Sequence, residues 1–407
     1  MKIVIIGCGA AGGTAAQFVR KTNRQAKVIL YDKEGYGQYS KCALPYIIAG
    51  KNWKEIIEFP PSWFERNGIE YRKKEVQAID LEGKVVEDDG EDFDKLIIAT
   101  GAMPACPFET RNALFLRSLD DALKIRDKIK KGGKAIVVGA GLVGLEVAEA
   151  LIEAGMQVKV IEYMPYILPN MLDEDVASYL LKNIGIDVIL NCKVEKVEDG
   201  KVLANEEYEA DLVIIAVGNK AISPLKKALE VDEHCLYMPD IYAAGDCTII
   251  KDFFNRKVQV GLGSIATRQG MVAGINAAGG NASFYPTLLP KTTKIFGIEI
   301  ASVGLLSHEI DGISAKYIGK DLPHYMGGKE ILVKIIADKD GKIVGCQAIG
   351  RGAAKIIDRM ALAIYNEMKV YDLAKIENAY APSVAPVFDA VSITCSILEK
   401  KISSVKK

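Results

Sequence analysis

KIVIIGCGAAGGTAA, residues 2–16, and KAIVVGAGLVGLEVA, residues 134–148, are one pattern written twice. Each opens with an unbroken run of Ile and Val, as expected for a strand buried on both faces of a parallel sheet. Each then turns on glycine into an Ala-rich helix. Gly7 and Gly139 permit the tight turn, Gly9 and Gly141 let the backbone approach a pyrophosphate, and Gly12 and Gly144 let the helix close on the strand. A helix starting there offers free N–H groups and partial positive charge to phosphates. Each copy next reaches a strand ending in an acid, KVILYD with Asp32 and VKVIEY with Glu162, placed to accept ribose hydroxyls. The copies close on DKLIIATG and DLVIIAVG. Strand, turn, helix and acid, all present twice, point to two dinucleotide sites: one for a redox prosthetic group, one for its reductant. Ala11, Lys33, Val76, Thr100 and Gly101 are expected around the first, and Leu142, Val143 and Gly218 around the second.

The rest of the composition is that of an ordinary water-soluble protein. The 407 residues allow two or three domains with sizeable cores, and 52 basic against 53 acidic residues imply no nucleic-acid or membrane surface. The N-terminus runs straight into a strand without a charged leader, and no apolar run approaches the ~20 residues that span a bilayer. A cytoplasmic protein is expected. Eight cysteines (Cys8, Cys42, Cys106, Cys192, Cys235, Cys247, Cys346, Cys395) include no C-x-x-C pair, which argues against a zinc site and a secreted disulfide framework. No metal ligands are assigned.

From about residue 284 the character changes. ILVKIIADKDGKIVGCQAIG is a hairpin, two strand-like runs joined at Asp-Lys-Asp-Gly, and AAKIIDRMALAIYNEM repeats apolar residues at helical spacing. A short tail follows. This α+β segment has no nucleotide signature, so an interface role is expected.

PDIYAAGDC, residues 239–247, resembles the second flavin motif of the two-dinucleotide flavoproteins, with Asp246 where the ribityl chain is bound. With KCALPY around Cys42, the whole chain resembles the pyridine nucleotide-disulfide oxidoreductases. Within them it is similar to the single-cysteine branch of coenzyme A-disulfide reductases and NADH oxidases. The resemblance implies an α/β fold of two Rossmann-like domains plus an α+β dimerisation domain. FAD would be held by residues 1–104 and 225–283, NADH by 105–224, with 284–407 as the interface of a homodimer. Glu146 matches a glutamate that contacts the nicotinamide end in relatives. Tyr325 and Tyr380 match interface tyrosines that reach the partner subunit's cysteine, and Thr14, Lys21 and Lys41 fall at substrate-contacting positions. Glu162 is followed by Tyr163, Met164 and Pro165, with no cation to receive a 2′-phosphate, so NADH is favoured over NADPH.

The family's paired cysteine would stand at position 47, which is Ile47. Cys42 therefore cannot form the internal disulfide, and its oxidised form is a mixed disulfide or a sulfenic acid. A lowered thiol pKa, helped by Lys41, is expected. The favoured activity is NADH-dependent reduction of a thiol-linked disulfide (CoA disulfide, persulfide or polysulfide). The alternatives are an NADH oxidase using dioxygen or peroxide, and a flavin electron-transfer module for a redox partner protein. Ala10 stands where peroxide-handling relatives carry a His, which favours the reductase.

Overall fold

The computed structural model describes residues 1–405. Strand Lys2–Ile6 lies inside a six-stranded sheet whose order is Leu236–Met238, Ile241–Ala243, Lys95–Ile98, Lys2–Ile6, Lys27–Asp32, Ile69–Lys73. Its parallel neighbours are Lys27–Asp32 and Lys95–Ile98. Ile3, Val4 and Ile5 have no accessible surface, because layers cover both sheet faces. Helix Ala10–Thr22 packs against helix Gly263–Ala277, brought from far along the chain, with Gly270 against the Ala11 backbone. Ile241–Ala243, just before Asp246, pairs in parallel with Lys95–Ile98.

The chain leaves this body through Ala102–Pro104 and returns through Asn219–Ala221, and these two segments pair antiparallel. Between them lies a second, five-stranded parallel sheet ordered Leu114–Phe115, Leu212–Ile215, Lys134–Val138, Gln157–Ile161, Asp187–Ile189. The third body is a five-stranded antiparallel sheet from Lys291–Ile295 to Ile343–Ile349. The expected hairpin is Glu330–Ala337 with Ile343–Ile349, and the expected helix is Ala353–Tyr365.

The segment expected as a short tail is instead a helix, Ala390–Val405. Val391, Cys395 and Leu398 recur at helical spacing and are buried in the core of this body. Their period is masked in the sequence by interleaved Ser, Thr and Ile, which are weak helix formers. Among the described residues no helix is long and apolar enough to cross a membrane, and no three His, Cys, Asp or Glu side chains gather as for a metal.

Candidate functional site

Cys42 sits in a one-turn 3-10 segment, Lys41–Ala43, that runs into the short helix Leu44–Ile48. Pro45 in the first turn of that helix costs no hydrogen bond. Leu44, Ile47 and Ile48 are buried in a core shared with Leu119, Ala122, Leu145 and Ala148 of the second body. Ile47 is thus a packing residue with 0 % exposure, and the thiol five positions earlier is left exposed and unpaired. All eight cysteines are free.

The thiol faces groups from three other parts of the chain. A β-carbon at Gly263 would lie 3.7 Å from Cys42 Sγ, so helix Gly263–Ala277 begins beside it. Cys42 is exposed as a residue, but the walls around its sulfur desolvate it enough to push the thiol pKa up; the charges of Glu146 and Asp246 push it further, and Arg117 opposes them. The chain's own groups thus work against the expected lowering. The expected helper is occupied elsewhere: Lys41 Nζ pairs with Glu34 Oε1 at 2.5 Å and donates to the Arg117 carbonyl at 3.4 Å. The cation acting on the sulfur is Arg117, whose guanidinium pairs with Asp246 at 2.9 Å.

The two glycine loops have the geometry that dinucleotides require. Gly7 and Gly139 have φ of +102° and +104°, open to glycine without strain. A β-carbon on Gly12 would fall 1.8 Å from the Gly7 carbonyl oxygen, and one on Gly144 1.9 Å from that of Gly139. Gly9 and Gly141 face open space, with nothing within 4 Å of a β-carbon. Both helices that follow lack a side-chain cap and any acid in the first turn. By contrast, helix Leu119–Asp127 is closed by a Ser118–Asp121 capping box. Two uncapped helix ends facing open space fit pyrophosphates.

The remaining expected residues divide between these loops and their surroundings. Asp32 is buried, and its carboxylate accepts from the backbone N–H of Glu34 at 3.1 Å, Gly35 at 3.0 Å and Gly37 at 3.1 Å, and from the Tyr71 hydroxyl. It orders the loop that leads to Cys42. Glu162 accepts from Ala140 N at 2.6 Å and Met164 N at 2.8 Å, which leaves half of its lone-pair sites free. Ala11 and Val76 are buried, and Lys33 pairs with Glu75 at 2.6 Å. The Thr100 hydroxyl bonds the Ile222 carbonyl, and Gly101 and Gly218 take φ of +76° and +120°. Leu142, Val143 and Glu146 follow Gly141 on helix Leu142–Glu153. Thr14 is buried, whereas Lys21, two turns on along the same face, is exposed with its ammonium 4.5 Å from the Phe18 ring.

Tyr325 lies on a turn, His324–Met326, and Tyr380 on an irregular segment; both are exposed. Among the described residues neither hydroxyl hydrogen-bonds within the chain. The Tyr380 segment is tied down nearby: Asn378 donates to Ser392 at 2.7 Å and accepts from Arg359, which pairs with Asp389 at 2.6 Å. Arg117, Glu34 and Thr293, which donates to Glu146 at 2.6 Å, are site residues that sequence reasoning missed. Arg117 and Thr293 act across more than a hundred residues, Glu34 across only seven, and none lies in a motif.

Comparison with known proteins agrees with this architecture. Residues 1–270 match the Pyridine nucleotide-disulphide oxidoreductase family and residues 290–391 its dimerisation domain. A protein of Methanocaldococcus jannaschii named NADH oxidase is 36% identical, over 99% of this chain and 100% of that one. The CoA-dependent NAD(P)H sulfur oxidoreductase of Pyrococcus abyssi is 30% identical over 98% of each. The solved structure of an NAD-dependent persulfide reductase from A. fulgidus superposes with a TM-score of 0.94 at 30% identity, covering 100% of this chain and 84% of that one.

Proposed function

The chain belongs to the pyridine nucleotide-disulphide oxidoreductase family, and on that premise we propose that it uses NADH to reduce small thiol-linked disulfides (CoA disulfide, persulfide or polysulfide) through Cys42 alone. The observation that carries this is an exposed thiol without a cysteine partner, one turn before a buried Ile47. The family is FAD-dependent, and bound FAD supplies the two-electron relay between NADH and the cysteine. The first glycine loop, Gly7 to Gly12, with Asp32, Lys33, Val76, Thr100, Gly101 and Asp246 would hold it. Residues 1–104 and 225–283 form that domain, 105–224 the NADH domain with Gly139 to Gly144, Glu146, Glu162 and Gly218, and 284–407 the interface domain.

The cysteine's part is nucleophilic. The Cys42 thiolate attacks one sulfur of the substrate, the S–S bond breaks, and one thiolate leaves and takes a proton. Two electrons from NADH then break the Cys42–substrate disulfide, releasing the second thiol. The balance is one disulfide, one NADH and one proton giving two thiols and NAD⁺. Lys41, its charge matched by Glu34, would be a fixed polar contact beside the entering substrate; Thr14 and Lys21 would line the approach along helix Ala10–Thr22. Tyr325 and Tyr380, exposed and unbonded, would serve a partner subunit's cysteine as phenol donors. The exposed apolar residues Leu362, Val384 and Phe388 support a homodimer through this domain. Glu162, followed by Tyr163, Met164 and Pro165 with no cation among them, favours NADH over NADPH, and eight free cysteines suit a reducing cytoplasm.

A second reading is an NADH oxidase in which Cys42 cycles through sulfenic acid. The 36% identity to the Methanocaldococcus jannaschii protein bearing that name favours it. The test is anaerobic NADH oxidation with CoA disulfide, polysulfide or cystine, against the aerobic rate without a thiol substrate. The reductase reading requires the first to exceed the second. A faster aerobic rate establishes the oxidase reading instead.

A further inference from the structure

Helix Leu142–Glu153 carries two glutamates one turn apart, and the C-terminal sheet holds both. Thr293 Oγ1, on the edge strand Lys291–Ile295, donates to Glu146 Oε1 at 2.6 Å. Three residues further along in each case, Phe296 N–H donates to Glu149 Oε1 at 2.7 Å. The two bonds, one from the strand and one from the turn just after it, tie the helix to the strand end, so the Glu146 side chain has a defined direction.

Glu146 is half-buried and accepts no other hydrogen bond among the described residues. Burial raises its pKa, the Thr293 bond opposes that rise, and the negative charge of Glu149 adds to it. The Glu146 neighbours Leu145 and Ala148 pack in one core with Leu44 and Ile47, so the helix that starts at the second glycine loop lies against the helix that follows Cys42, and the Glu146 charge acts on the thiol. Lys294, on the same strand as Thr293, acts on Glu149.

We propose that Thr293 is a positioning residue for nicotinamide chemistry: its hydroxyl holds the Glu146 carboxylate aimed at the ring that loses hydride. This rests on the reading above that Glu146 lies at the nicotinamide end of the NADH site. The nicotinamide ring is neutral in NADH and cationic in NAD⁺. A fixed carboxylate in a poorly solvated pocket therefore favours the oxidised form and the charge that develops as hydride departs. Nothing in the second repeat supplies this control; it comes from the interface domain.

The test uses the FAD-loaded enzyme without any disulfide, so it is independent of Cys42 chemistry. Dissociation constants of NAD⁺ and of tetrahydro-NADH, which stands in for NADH because it cannot give hydride to the flavin, are measured by calorimetry across a pH series from acid to mildly alkaline. In the wild type, NAD⁺ affinity relative to NADH falls as Glu146 is protonated. Thr293→Val moves that midpoint to higher pH and weakens NAD⁺ near neutrality by roughly tenfold or more, the worth of one hydrogen bond to a charged group. NADH affinity stays nearly constant, and Thr293→Ser restores the wild-type ratio. An unchanged midpoint in Thr293→Val, or equal weakening of both nucleotides, overturns the proposal. If Thr293→Val does not fold, Glu146→Gln decides: it must abolish the pH dependence of the ratio, and persistence of that dependence overturns the proposal. A wild-type enzyme that binds neither nucleotide refutes the assignment of the second repeat and this inference with it.

Discussion

The two glycine loops do the same thing to the backbone, but the acids that follow them do different work. Gly12 and Gly144 approach their carbonyls within 0.1 Å of each other in distance, 1.8 and 1.9 Å from a built β-carbon. Asp32, however, is committed to four donors that order residues 34–37 and so the path to Cys42. Glu162 closes only its own loop, through Ala140 and Met164. A duplicated cradle has thus been specialised at the strand end: the first copy leads to the Cys42 loop, and the second carries a helix of which Glu146 and Glu149 are held by Thr293 and Phe296. On the proposed assignment, equal geometry at the glycines with unequal use of the acid would separate a permanent cofactor site from an exchanging one.

The sharpest way to break the comparison is to fill each loop. Gly12→Ala drives a β-carbon into the Gly7 carbonyl and costs about 3 kcal/mol or more. The purified protein should lose its flavin absorbance. Gly144→Ala should keep the flavin and lose NADH binding. Flavin loss in both variants, or in neither, would contradict the division of labour.

A comparable effect is expected where the second body meets the C-terminal sheet. Lys334, buried, pairs with Asp173 at 2.8 Å and Asp175 at 2.7 Å, and Ser307 donates to both Asp173 oxygens. Lys334→Ala leaves the buried Asp173 carboxylate without its cation, whereas exposed Asp175 keeps Lys316 at 2.7 Å, and should lower stability by about 3 kcal/mol in chemical denaturation. Burial alone would raise the Asp173 pKa, but Lys334 and Ser307 outweigh it and hold it below the usual range. A depressed folded-state value means that this stability is present above the unfolded carboxylate pKa of about 4 and is lost as pH falls through the folded value. Acid titration of the wild type should therefore lose stability in that window. Lys334→Ala should lose less.

Smaller effects separate the two acids. Asp32→Asn should cost about 2 kcal/mol and expose the 34–37 loop to protease. Glu162→Gln should cost about half as much and raise the KM for NADH while narrowing its advantage over NADPH. The smallest effect concerns the sulfur. Removing the Glu146 charge relieves a repulsion on the thiolate, so Glu146→Gln should lower the alkylation midpoint of Cys42. Arg117→Ala removes the opposing cation and should raise it, each by about half a pH unit. Mass spectrometry of iodoacetamide-treated enzyme reads both.

What was legible in the sequence is what repeats locally. The Ile/Val runs, the glycine spacings and the acids at positions 32 and 162 each declare themselves within about thirty residues, and the hairpin around Asp338–Gly341 does so within twenty. The site is harder to read, because its electrostatics come from pairs such as Arg117–Asp246 and Thr293–Glu146, joined by folding across more than a hundred residues. Lys41 shows the same limit: adjacency to Cys42 suggested help for the thiolate, but Glu34 claims its ammonium. The helix Ala390–Val405 escaped because its buried stripe is only every third or fourth residue of a Ser- and Ile-rich stretch.

The account turns on Cys42 as the one thiol that trades electrons with substrate. Its most direct test is Cys42→Ser in the FAD-loaded enzyme, followed anaerobically with NADH and CoA disulfide or polysulfide. NADH should still bleach the flavin at the wild-type rate, while disulfide-dependent turnover falls by about a thousandfold or more, as for loss of a nucleophile. Turnover at the wild-type rate would contradict the account.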